Sequence, residues 1–280
     1  MFAHAGAAPH STLARMVSLP VRGPGVRRLD LAVPPARMAG VHARRPLKRW
    51  RYVGVYRPDL MLCVGDARVA GLRQRWWAVA LPDGTLLQGR RGVRMERGRV
   101  EAGGGIRLEL DEREGVEVVS PHGRGYVWTR KQAPVRVRGV VEAGGRTFEL
   151  DGDDGFIDDS AGYHARHTAW RWSAGIGRAE DGRRVAWNLV DGVHDLSAAS
   201  ERTVWIDGEA QEVPPQEFAT DLSGVGELRF CEWSSRESNR NLLLMRNRYR
   251  QPFGEFSGML PGGLALAGGW GVMEEHDVLW

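Results

Sequence analysis

The sequence predicts an all-β protein built as two antiparallel barrels in tandem with few helices. Three observations carry that expectation. Short runs rich in β-branched and aromatic residues (RYVGVY, LMLCVG, RWWAVAL, YVWTR, VRVRGVV) follow one another with Gly, Pro or Asp between them. Helical periodicity is scarce, so few crossovers are available and neighbouring strands must run antiparallel. The chain has 280 residues, and a barrel of about eight to ten strands uses roughly 100–150, so two barrels fit better than one.

Taken in order, residues 1–45 are rich in Ala, Pro, Gly and Arg without a period, as in a basic tail or wrapping segment. Residues 46–140 are assigned to the first barrel and 141–280 to the second, with the seam near 134–145. Pro82-Asp83-Gly84, Asp181-Gly182 and Asp207-Gly208 are hairpin signals. Residues 196–202 read as one helical turn, 237–249 as either a short helix or a buried strand, and the C-terminal LALAGGWGVMEEHDVLW as a closing strand.

Composition narrows the function. The 39 basic residues include only two lysines, Lys48 and Lys131, and the positive excess sits at one end. Residues 1–50 hold nine Lys/Arg against Asp30, and the remaining 30 face 34 acids. No basic stripe with interleaved aromatics follows, so no nucleic-acid partner is expected. Cys63 and Cys231 lie far apart in apolar runs without metal-ligand spacing, as buried free thiols of a cytoplasmic protein. No run approaches 18 apolar residues and no secretion signal is evident, so no membrane span is expected. His164 and His167 fall on opposite faces of a strand and His122, His194 and His276 are dispersed, so no metal is expected. Gly175-Ile176-Gly177 precedes a hairpin where a dinucleotide site needs a helix, and no cofactor is assigned.

Residues 156–191 are the most informative stretch. With a period of two, Arg166, Thr168, Trp170 and Trp172 share one face, an aromatic surface with a cation set in it. Such a face suits a ligand cavity, with Arg166 either stacked as a structural lock or meeting an anionic headgroup. Trp187 and Asn188 follow on the next strand. Upstream, Asp151, Asp153 and Asp154 read as exposed loop carboxylates, whereas Asp158 and Asp159 directly precede the aromatic strand. A carboxyl beside apolar walls has a raised pKa, the condition for a general acid, and a structural arginine pair is the alternative. Glu274 and His276 share a face of the last strand, as a proton-moving pair or as a solvated strand end.

The runs RWRYVGVYRPDLMLCVG, D-x-S-x-GYxxRxTxWRWSAG, WNLVDGVHD, SERTVWIDGE and GVMEEHDVLW together resemble a bacterial domain-of-unknown-function family, number 2804, over about residues 45–280. More distantly the layout is similar to the carotenoid hydratase and AttH-like proteins. That resemblance implies two lipocalin-like barrels and a cavity for isoprenoid or lipid-like ligands. Where those hydratases carry an Asp-His-Glu-Trp-Gly type motif, this chain has Asp158-Asp159-Ser160-Ala161-Gly162 and lacks the His-Glu-Trp core.

The leading expectation is therefore a protein that binds a hydrophobic small molecule through Arg166, Thr168, Trp170, Trp172, Trp187, Asn188 and Glu274. A hydratase- or cyclase-type enzyme is the second, with Asp158 or Asp159 as acid and Tyr163 and His276 as partners. A carbohydrate-binding or hydrolase-like β protein is the third, since tryptophan platforms and carboxylates also serve sugars.

Overall fold

Near-continuous apolar runs such as VGVY and LMLCV bury both faces of a strand, and that property organises the molecule. In a computed structural model that describes residues 19–242 and 245–280, two large antiparallel sheets pack face to face. Val53, Val55, Leu62, Val64 and Val79 point to a core of the first sheet alone. The alternate residues Tyr52, Tyr56, Met61, Cys63 and Ala78 point the other way, into a core shared with the second sheet. The second sheet repeats the device. Ala174, Ile176, Ala186 and Val190 enter the shared core, while Val185, Trp187, Leu189 and Met273 enter a third core behind.

The first sheet runs in the order Leu86–Gly89, Leu72–Ala80, Met61–Val69, Lys48–Tyr56, Arg146–Gly162, Gly125–Ala143, Ile106–Asp111, Arg99–Ala102 and Arg94–Glu96. Val116–His122 also pairs with Gly125–Ala143 and carries Val21–Arg22 on its outer edge. The second sheet runs Glu209–Glu212, Thr203–Ile206, Arg184–Asp191, His167–Ala179, Leu264–Leu279, Met245–Leu260, Leu228–Leu242 and Gly224–Val225. The all-β class is borne out, but among the described residues neither sheet closes into a barrel. Each ends on two short edge strands with no ladder between them.

Several local expectations are corrected. Residues 134–145 lie within the Gly125–Ala143 strand and its turn into Arg146–Gly162, both of the first sheet, and the chain crosses to the second sheet between Gly162 and His167. The acidic stretch is strand rather than loop: Asp153 pairs with Arg57 at 3.2 Å and Asp154 with Arg184 at 3.3 Å. Residues 196–202 form bends, not a helical turn; of the two readings of 237–249, the strand holds for the described residues 237–242 and 245–249. Cys63 is buried, but Cys231 is exposed because its neighbour Phe230 takes the inward face.

Residues 1–18 of the expected tail lie outside the described residues. From Leu19 the chain wraps the first sheet, with Val26, Val33 and Met38 buried against Val119, Trp128 and Tyr163. Among the described residues no helix is long and apolar enough to cross a membrane.

Candidate functional site

The shared core opens at one end into a cavity of about 1140 Å³ between the two sheets. Trp50, Tyr52 and Trp76 of the first sheet face Trp170 and Trp172 of the second across it. Trp76 can lie flat there because Gly65 stands opposite it in the ladder, where a Cβ would overlap the indole. Three buried polar groups are set into these aromatic walls.

Lys131 anchors the first. Register places Tyr52, Asp158 and Lys131 in one row across three strands, all facing the cavity. Lys131 Nζ lies 2.6 Å from Asp158 Oδ1 and 3.4 Å from Glu201 Oε1, with Trp172 5.8 Å away. Burial pushes Asp158 up to about 6 against the pull of Lys131, and Glu201 adds to the rise. Burial opposes the charge on Lys131, but its two carboxylates prevail and hold it above the usual lysine value.

Glu274 anchors the second. Its Oε1 accepts from the Trp170 indole N–H at 2.8 Å, and its Oε2 from Tyr249 Oη at 3.0 Å and Gln251 Nε2 at 3.1 Å. Burial nevertheless lifts this carboxyl to about 7, against the Trp170 and Tyr249 donors and with a further push from Asp158. His276 lies 4.3 Å from the Trp170 ring and 5.1 Å from Tyr249. Burial lowers it to about 4, so the ring is neutral near pH 7. Its Nε2 donates to Asn247 Oδ1 at 2.6 Å, which leaves Nδ1 as an acceptor. A carboxyl that titrates near neutrality beside a neutral imidazole can give or take a proton from a bound molecule.

The third group lies where the cavity meets Trp280. His164 is fully buried with both ring nitrogens unpartnered, and Lys48 Nζ sits 4.1 Å from the Trp280 ring.

Of the residues singled out in the sequence, Asp158, Trp170, Trp172, Glu274 and His276 line the cavity. Six others do not. Asp159, one position on, points to the opposite face and pairs with Arg51 at 2.9 Å and Arg130 at 2.6 Å. Tyr163 is packed under the wrapping segment and donates to the Ala39 carbonyl at 2.7 Å. Arg166 is exposed, because it precedes the first ladder residue, His167, and the alternation does not extend back to it. Its carbonyl and the Thr168 hydroxyl instead receive the Trp280 backbone and indole N–H. Trp187 fills the third core, donating to Ser173 Oγ. Asn188 stands behind the wall and holds the Trp172 indole N–H at 2.7 Å.

Sequence reasoning missed Lys131, Glu201, Arg236 and Tyr249. The cation expected of Arg166 beside Trp172 is supplied by Lys131, 5.8 Å from that ring, while Arg236 stands 5.6 Å from the Trp76 ring and 5.4 Å from Tyr249. One signal was present: an arginine-rich chain keeps only two lysines, and the structure buries both, at 1% and 3% exposure. Among the described residues no three His, Cys, Asp or Glu side chains gather as a metal site.

No curated protein matches this sequence. Among solved structures, a putative AttH from Nitrosomonas europaea is similar at 13% identity and a TM-score of 0.41, covering 88% of this chain and 98% of that one. Kievitone hydratase from Nectria haematococca is similar at 9% identity and a TM-score of 0.42, covering 81% and 88% respectively. CghA is similar at 11% identity and a TM-score of 0.39, covering 83% and 88%. The family described as "Domain of unknown function (DUF2804)" matches residues 86–280, well over half of the chain, and the protein belongs to that family.

Proposed function

We propose that the protein binds a small organic molecule, apolar in body and polar in its substituents, in the cavity between the sheets. The observation that carries this reading is the cavity itself: about 1140 Å³ walled by indoles, with buried ionisable groups at fixed points. Apolar walls with a few convergent polar groups are the usual make-up of a ligand site. The buried carboxyls narrow the expected ligand from simply hydrophobic to amphipathic.

Native mass spectrometry of the protein from its own host, followed by organic extraction, tests the reading. A defined compound at one copy per chain is the expected result. An empty chain that also fails to bind an apolar fluorescent probe would refute it.

Glu274 supports a second, catalytic reading, in which it exchanges a proton with the bound molecule and the indole faces stabilise developing positive charge. Asp158 is less suited to donate, because Lys131 keeps it ionised near neutrality. Once the extracted compound is known, Glu274→Gln should abolish its turnover while leaving its binding within about threefold. Undiminished turnover would exclude the role.

A further inference from the structure

The two lysines differ in one respect. Lys131 has two carboxylates within reach, whereas Lys48, only 1% exposed, has none among the described residues. Buried charges are ordinarily paired, and an unpaired one raises the question of what completes it. Lys48 alternates with Trp50 and Tyr52 along one strand, so its side chain leaves the backbone on the cavity face. Its ammonium rests against Trp280, another wall residue.

Beside it, His164 is fully buried, lines the same cavity and stacks 5.0 Å from the Trp50 ring. A neutral imidazole carries one donor and one acceptor, and here neither ring nitrogen has a partner. Native interiors rarely leave such groups unmatched. His122 lies 5.4 Å from the His164 ring, and His194 also lines the cavity. His122 Nδ1 is taken by the Ala165 N–H and His194 Nδ1 by Ser120, leaving His194 Nε2 also unpartnered. Burial keeps all three imidazoles below their ordinary value, so they bring hydrogen bonds rather than charge.

We infer that the end of the cavity lined by His164 and Trp280, where the Lys48 amine rests against the Trp280 ring, is an anion subsite that takes a carboxylate of the bound molecule. The inference rests on the reading that the cavity holds a small molecule and adds that this molecule is an acid. Burial lowers Lys48 to about 7, a carboxylate beside it would keep it protonated, and one ammonium with neutral donors matches a single negative charge. One carboxylate oxygen would accept from Lys48 and the other from His164, while the Trp280 ring flanks the ammonium. The chain's body would then extend along the indoles toward Glu274.

The test uses a dansyl-labelled long-chain fatty acid and its methyl ester, titrated into the full-length protein by fluorescence. The wild type should bind the acid about tenfold or more tightly than the ester. Lys48→Met should bring the two within about twofold, and His164→Leu should reduce the preference in the same direction. Lys48→Met is expected to fold, since it replaces a buried ammonium that lacks a partner with an apolar side chain of similar length. The second variant tests the same site independently. Equal binding of acid and ester to the wild type would overturn the subsite and leave the cavity reading standing. A preference that survives in both variants would also overturn it. Failure of both probes to bind the wild type would remove the cavity reading, and the inference with it.

Discussion

Glu274→Gln separates the electrostatic cost of a buried carboxyl from the hydrogen bonds it makes. Burial raises this group from 4.5 to about 7. At roughly 1.4 kcal/mol per tenfold change in acidity, that rise makes the ionised form about 3 kcal/mol worse in the folded than in the unfolded chain. The folded state therefore holds its proton more tightly. The stabilisation is complete below about pH 4.5, is lost as pH rises toward 7, and stays lost above. Glutamine removes the charge but sets an amide against the Gln251 N–H donor, a mismatch costing about 1 kcal/mol. The variant should thus be more stable than wild type by about 2 kcal/mol near pH 8, and less stable by about 1 kcal/mol near pH 4. Urea unfolding followed by circular dichroism at both pH values reads the difference. A variant weakened equally at both would show that the carboxylate stabilises the fold, and the reasoning would fail.

Other perturbations probe the surroundings. Lys131→Met leaves Asp158 and Glu201 without their shared cation and should cost about 3–5 kcal/mol in urea unfolding, with Asp158→Asn recovering much of the loss in the double variant. A loss below about 1 kcal/mol would mean that the three groups do not form an ion cluster. Tyr163→Phe removes the bond to the Ala39 carbonyl and should lower stability by about 1 kcal/mol without altering probe binding, since Tyr163 lies outside the cavity. A thiol reagent should modify the native chain at Cys231 alone, because Cys63 is buried and burial lifts it to about 11; both should react after denaturation.

The strand class was legible because alternation and glycine punctuation are local properties. The same locality explains which site residues could be found. Trp170 and Trp172 lie within a ladder and obey the two-residue period, so their face was correct. Arg166 sits one residue before that ladder, where the period no longer applies. Asp158 and Asp159 were equally plausible in the sequence, and only pairing decided between them: one meets Tyr52 and Lys131, the other Arg51 and Arg130. Lys131, Glu201, Arg236 and Tyr249 come from four separate segments, and no short pattern reports a meeting that long-range register creates. Closure of the sheets was likewise beyond local pattern, because it depends on whether two distant edges find each other.

The glycine facing Trp76 has a consequence for how such a pocket changes over time. The indole occupies the room that a side chain at position 65 would need. Any larger residue there would tip the ring inward, carrying with it the surface on which Arg236 rests. The breadth of the cavity is therefore governed from a position that does not line it. Diversification of cavity size within such a scaffold can proceed through backbone-like positions behind the wall, leaving the acid and the lysines untouched.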